Sequence, residues 1–424
     1  MNIFPETKLI KYRKFFIFLL YSLVFLAPLG ALSRALTATP DMIKKGIFIL
    51  PGPTTIIAVI CVGYGLFSRA SIQLIMRKQI LLSFFIFAGI ALVAGIFHVD
   101  YMNASIRAVM FVMYSLLMVF TIVICPDYQE RLNLVFFTAL GTIVMLSLSL
   151  IDYIGIYNIP LINERSISIN IEELSTRFKT LSGPFRSRSE LSAFLCVILP
   201  PCIAFLFLPK TNIIKRLCVM GAVLLIITAV IVSASRGMYL AVILSFLYIA
   251  LNCIKVGYTG KLFYIMPILF IGIVGILIKS PDYLLMLVSR IGDLNFTNIS
   301  YSESDMIRVY ALQDTFKDVI FRPWGMGFTQ FAKFGRLWDV HSIFTEFFRA
   351  AGFIGLGIIL YFLIKIQKFN KLHKKSPFRF MFLSAFIGFL VYNIGHSYWQ
   401  VTILWIFMGC YFCEILSPAG LYRR

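Results

Sequence analysis

The sequence predicts an all-α fold: a polytopic transmembrane helical bundle of about twelve spans, with a large external loop that contains an amphipathic helix. Three observations carry this expectation. Of 424 residues, 60% are hydrophobic and only 14% charged, and the mean hydropathy is +0.89; a water-soluble domain of this length would have too little polar surface. Apolar runs also recur along the whole chain at close to the roughly 20 residues that a helix needs to cross about 30 Å of hydrocarbon. Finally, the Lys and Arg behind the net charge of +20 lie in short clusters between those runs. That is the pattern of membrane topology rather than of one basic surface, so membrane lipids are expected as partners and nucleic acid is not.

Taken in order, the first run, Phe15–Leu32, follows Lys8, Lys11, Arg13 and Lys14 and reads as a signal anchor, longer than a cleaved leader's core. The second, Gly46–Phe67, carries Pro51-Gly-Pro53 and should start late or kink there. Ile80–Val99, Ala108–Cys125 and Leu132–Ile151 complete the first group, before a polar segment, 152–190. Four further runs follow: Leu191–Leu208, Leu217–Val232, Met238–Ile254 and Leu262–Ile278. The second long polar segment, 279–342, holds Val309, Leu312, Phe316 and Ile320 at helical spacing among Gln313, Asp314 and Lys317, an amphipathic surface helix. Pro323-Trp-Gly-Met-Gly327 then breaks it. Ile343–Ile364, a basic loop at 365–379, and the runs Phe380–Tyr392 and Val401–Leu416 end what reads as a single integral membrane domain over 1–424.

Charge sets the expected orientation. With the N-terminus in the cytoplasm, the inside segments carry 21 of the 39 Lys and Arg, six of them at 365–379, against five in the short outside connections. Both termini then face the cytoplasm, and the two long polar segments face out. The eight cysteines lie in or at the ends of apolar runs as small hydrophobes, and Cys410-x-x-Cys413 sits inside one of them, away from any redox context.

The residues with chemical potential gather on the outward side. His341 stands where a polar segment meets a span, with water on one side and hydrocarbon on the other; helical spacing aligns it with Thr345 and Arg349, and brings Glu346 within reach of Arg349. Glu346 and Arg349 either serve function or neutralise each other. Ser235-Arg236-Gly237 holds an arginine on a very short tether between spans, suited to a bidentate grip on phosphate oxygens. Arg177, Lys179, Arg186 and Arg188 surround a Gly183-Pro184 turn, and Arg308 stands beside Tyr310 on the amphipathic helix. His98 and His396 also fall at outside ends of spans, but without ligand spacing, so no metal is expected. Nucleotide-binding motifs are absent, and no cofactor is expected.

The succession of Arg177 to Ala193, Ser235-Arg236-Gly237, Arg308 through Pro323-x-Gly325-x-Gly327, and His341-Ser-Ile-Phe-x-x-Phe-Phe-x-x-x-Gly352-Phe-Ile-Gly355 resembles the O-antigen ligase and O-antigen polymerase superfamily of bacterial inner membranes. The match covers about Leu181 to Leu360. Two positions depart from the family pattern: Ser342 where Asn is frequent, and Ala350 where an acid is frequent. The resemblance implies a metal-independent GT-C type glycosyltransferase working at the periplasmic face of the inner membrane. Its donor would be a glycan on undecaprenyl diphosphate, and its acceptor lipid A-core for a ligase or a second lipid-linked glycan for a polymerase. His341 would be the catalytic base, and Arg236, Arg308, Arg186 and Arg177 would bind the diphosphate. A transporter of lipid-linked sugars would also need many helices and outward cations, but it should show polar residues along a midplane path rather than at one face.

Overall fold

The computed structural model describes residues 9–29, 53–98, 101–156, 168–170, 177–179, 181, 183, 185, 188–208, 211–233, 235–257, 303–329, 331–333, 336–338, 342–372, 377–394 and 396–416. It is helical almost throughout: α1 (Leu9–Leu26), α2 (Pro53–Phe67), α3 (Arg69–Arg77), α4 (Gln79–Ile96), α5 (Tyr101–Ile124), α6 (Tyr128–Ile154), α7 (Arg188–Phe207), α8 (Ile213–Ser233), α9 (Arg236–Val256), α10 (Glu303–Phe321), α11 (Ile343–Leu372), α12 (Pro377–Tyr392) and α13 (Thr402–Leu416). Two short antiparallel hairpins, not anticipated from the sequence, lie in the polar segments: β1 (Ser168–Asn170) with β2 (Arg177–Lys179), and β3 (Phe331–Lys333) with β4 (Arg336–Trp338).

Among the described residues, eight helices are long and apolar enough to cross a membrane, and α2 with α3 forms a further candidate bent by 71°. The chain is therefore a multi-pass membrane protein. The expected early kink takes the form of a helix that starts at Pro53, whose missing amide proton costs nothing in a first turn. The bend comes later, at Ser68. The helices α12 and α13, at 16 and 15 residues, are shorter than a full span. The expected run Leu262–Ile278 lies outside the described residues.

Contacts between distant segments define two poles. At one, Arg13 of α1 reaches Asp127 and Glu130 at 2.7 Å, so Asp127, at the N-cap position of α6, pairs with a cation instead of capping a backbone amide. Beside it the fully buried Arg131 donates to the Pro126 carbonyl (2.6 Å) and pairs with Glu414 of α13. Lys215 of α8 meets Asn133 at 2.7 Å, and Tyr361 of α11 meets Gln79 at 3.3 Å. At the other pole Tyr392 bonds Ser189, Tyr114 bonds Gln400, and Arg107 faces Glu346. Between the poles α12 packs against α7, α9 and α13, whereas α11 packs on α4 and α10.

The long helix α11 is interrupted at Ala351 and Gly352, the latter at φ 58° and ψ −146°. An interruption leaves backbone groups without helical partners, and in an apolar surrounding each unmade bond costs about 2–7 kcal/mol. The turn that breaks α10 satisfies them. The Met326 and Gly327 amides donate to the Arg349 and Ala350 carbonyls (2.8 and 3.1 Å), and the Phe353 amide donates to the Pro323 carbonyl (3.0 Å). Gly325 and Gly327, both at positive φ, lie so close to α11 and to Gly95 of α4 that an added Cβ would stand 2.7 Å from Ala350 O and 2.4 Å from Gly95 Cα. The Pro-x-Gly-x-Gly pattern is thus a plug for a broken helix. It also seats Phe328 in an aromatic cluster with Phe87, Phe111, Phe347 and Trp399, at centroid distances of 5.3–6.1 Å.

The amphipathic helix forms as expected, and its apolar row stays largely exposed, although Phe316 also packs edge-on against Phe348 of α11. Val309, Leu312, Phe316 and Ile320 are exposed, whereas Ala311, Thr315 and Val319 are buried. Small side chains thus let α10 approach α11, and Asp318 reaches Arg349 at 3.1 Å.

Gly352→Ala should be strongly destabilising, because Gly352 occupies a backbone region that costs a side chain about 1–3 kcal/mol and the added Cβ would lie 2.0 Å from Pro323 O. Gly357→Ala, on the same helix with nothing within 4 Å, is the control. Thermal unfolding in detergent should show a clear loss for the first and little change for the second; equal behaviour would remove the plug from the account.

Candidate functional site

The pole opposite Arg13 is organised around Tyr392, the last residue of α12. Its hydroxyl donates to the Ser189 carbonyl at 2.8 Å, in the first turn of α7, and the Ser235 side chain lies near it. Gly237 fits flat against the same ring, since a Cβ there would touch it at 3.6 Å. Two expected anion-binding segments, the one ending at Arg188-Ser189 and the Ser235-Arg236-Gly237 turn, therefore meet on one side chain.

The chain after Tyr392 completes the pole. The buried Asn393 accepts from the Tyr398 amide with its side chain (2.7 Å) and from the Ile343 amide with its carbonyl (3.1 Å). The His396 carbonyl takes the Ile343 amide as well (3.0 Å), and the His396 ring stacks on Tyr392 at 4.6 Å. The start of α11, two residues beyond His341, is thus held against the 392–398 segment. Its first-turn amides have no helical acceptor, and these carbonyls supply one.

Of the expected site residues, Arg236 opens α9 inside this cluster. For Arg308 and Arg177 the structure gives the element, α10 and the β2 position paired with Asn170, and no described contact with Tyr392. Arg186 and His341 lie outside the described residues.

Glu346 and Arg349 do not pair with each other in the described contacts. Glu346 is buried and receives Arg107 Nη1 at 3.4 Å, Trp399 Nε1 at 3.2 Å and the Ser397 hydroxyl. Arg349 instead takes Asp318 and the Thr329 hydroxyl (3.2 Å). Each charge ties α11 to a different element: Glu346 to α5 and the 397–399 turn, Arg349 to α10 and its plug. Next to the Glu346 cluster, among α4, α5, α11, α12 and α13, lies an apolar cavity of about 80 Å³. Ile343 and Trp399 stand at one end, Phe362 and Met408 at the other, and Ser83 is the one hydroxyl residue in its lining. The pole therefore places polar recognition groups at the mouth of a greasy slot.

Sequence reasoning missed Tyr392, Asn393, Ser397, Tyr398 and Trp399, and counted Arg107 only as an outside charge. A signal was present: Tyr392-Asn-Ile-Gly-His-Ser-Tyr-Trp399 is too polar for a span and too rich in aromatic and hydrogen-bonding side chains for a bare connection. Comparison with protein-family models, curated proteins and solved structures gives no match for this chain.

The Arg107–Glu346 pair should behave as a coupled unit. Glu346→Leu takes the carboxylate away from a partly buried guanidinium and removes the acceptor for Ser397 and Trp399, a loss of up to about 3–5 kcal/mol, whereas Glu346→Gln keeps an acceptor and should cost less. In a double-mutant cycle read by thermal unfolding, Arg107→Met with Glu346→Leu should be less destabilised than the sum of the two singles. Strict additivity would show that the pair carries no coupling.

Proposed function

We propose that this chain is a glycosyltransferase of the bacterial inner membrane. It transfers a glycan from undecaprenyl diphosphate to lipid A-core at the periplasmic face, as an O-antigen ligase does. One observation carries the reading. Segments spread over more than 150 residues that bear the resemblance, Ser189 after Arg188, the Ser235-Arg236-Gly237 turn and Ile343 just after His341-Ser342, meet around Tyr392 at a single pole. A transfer site needs the segments that carry its cations and its base at one pole; a transport path would distribute them along the spans.

The chemistry follows from the donor. The acceptor hydroxyl oxygen attacks the anomeric carbon, the bond from that carbon to the diphosphate oxygen breaks, and undecaprenyl diphosphate leaves with the electron pair. Arg236, with Arg308, Arg186 and Arg177 of the external segments, neutralises the charge that grows on the diphosphate. His341, whose imidazole can accept a proton, takes it from the attacking hydroxyl. The apolar slot beneath Ile343 and Trp399 receives the first isoprene units of the donor. Because the leaving group already carries its diphosphate, the reaction needs no nucleotide.

Arg236→Ala should abolish transfer in membranes with unchanged protein abundance, and Arg236→Lys should retain little, because lysine lacks the planar fork that grips two oxygens. His341→Ala should keep donor binding while transfer falls by about 10² to 10⁴-fold. Loss of donor binding in His341→Ala together with its retention in Arg236→Ala would reverse the roles. In a deletion strain, lipopolysaccharide should lose its O-chain ladder entirely; core carrying a single repeat would assign the chain as a polymerase instead.

A further inference from the structure

A second charged surface lies at the Arg13 pole and plays no part in the proposed transfer. Helix α3 turns 71° away from α2 and so runs across the bundle rather than along it. Eight of its nine residues fall into three rows. Ala70, Ser71 and Leu74 are buried against the protein. Ile72 and Met76, four residues apart, keep 50% and 68% of their surface, next to Phe67 at 89%. Arg69, Gln73 and Arg77, again at steps of four, form the adjoining row, with both arginines exposed. A helix packed only on protein would have no reason to display two outward rows of opposite character side by side. One lying in a bilayer interface does, with the apolar row in the acyl region and the basic row among headgroups.

The surface extends beyond α3. Lys78 follows it, and Tyr361 of α11 brings in a distant segment: its hydroxyl meets Gln79 at 3.3 Å while the Lys365 ammonium sits 5.2 Å from its ring centre. Among the described residues, Arg69, Arg77 and Lys78 have no carboxylate partner. The stretches that carry these cations supply none of their own, since the sequence contains no Asp or Glu between Asp41 and Asp100 or between Glu346 and Glu414. We propose that α3, with Lys78 and Lys365, is a docking surface for anionic phospholipid headgroups of the leaflet at the Arg13 pole, the leaflet that the Lys and Arg distribution assigns to the cytoplasm. Lipid phosphate supplies the negative charge that the protein withholds, and Phe67, Ile72 and Met76 fix the depth at which α3 lies.

The test uses the full chain in a neutral detergent, titrated with phosphatidylglycerol or phosphatidylcholine and read by native mass spectrometry for retained lipid. The wild type should retain phosphatidylglycerol over phosphatidylcholine. Arg69→Gln with Arg77→Gln should weaken that retention by about fivefold or more per arginine, whereas Arg69→Lys with Arg77→Lys should keep most of it, because a headgroup meets the charge without needing a planar fork. Ile72→Ser with Met76→Ser should lower the retention of both lipids. Equal retention of the two lipids by the wild type, or unchanged phosphatidylglycerol binding in the double Gln variant, would overturn the proposal. Displacement of the lipid by millimolar inorganic phosphate would overturn it too, by showing a free-anion site. None of these outcomes depends on transfer activity.

Discussion

A helix cannot be broken inside a membrane unless something else satisfies the freed backbone, and this protein breaks α11 at Ala351-Gly352. The Pro323–Gly327 turn takes both sides of the break, with two amides donating to α11 and one carbonyl accepting from it. Much follows from that constraint. The turn must approach within backbone contact, so Gly325, Gly327 and Gly352 are required. The helix before it must come close as well, so α10 presents Ala311, Thr315 and Val319 inward and reaches Arg349 through Asp318. Phe328, one residue past the turn, is then delivered into the aromatic cluster that walls the slot below Trp399.

The same helix is held at its other end by different chemistry. The Ile343 amide finds the Asn393 and His396 carbonyls, and Glu346 gathers Arg107, Ser397 and Trp399. The short first part of α11, from Ile343 to Ala351, is therefore pinned on several sides, although it lines the apolar cavity. A rigid segment beside the cavity suits the proposed transfer, in which His341 would meet both a lipid-borne donor and a second substrate. It also explains why two ionisable residues three apart on this helix do not pair. Each spends its charge on a neighbouring element, and the segment is fixed as a result.

Much of the fold was legible in the sequence because a membrane imposes a length and an apolar composition on each span. The runs that became α4 through α9 needed no other information. Pro51-Gly-Pro53 marked the late start of α2 at Pro53, whereas the bend at Ser68 was not legible, since the change of direction comes where an amphipathic basic segment follows a span. The hairpins were invisible because three-residue strands carry no periodicity. At the site, the Arg236 turn was legible from its short tether. Tyr392 and the 393–399 segment were not, because their role is to join elements that are remote in sequence, and Arg107 was hidden because its partner lies 239 residues away.

The central claim is that the Tyr392 pole transfers a lipid-linked glycan without outside energy. The direct measurement is reconstitution of the purified chain in liposomes with an undecaprenyl-diphosphate-linked glycan and lipid A-core, in the presence of a chelator and with no nucleotide. The account predicts glycan on lipid A-core and an equal amount of released undecaprenyl diphosphate. A folded protein that binds the donor but leaves it intact, or transfer that begins only when nucleotide or divalent metal is added, would contradict it.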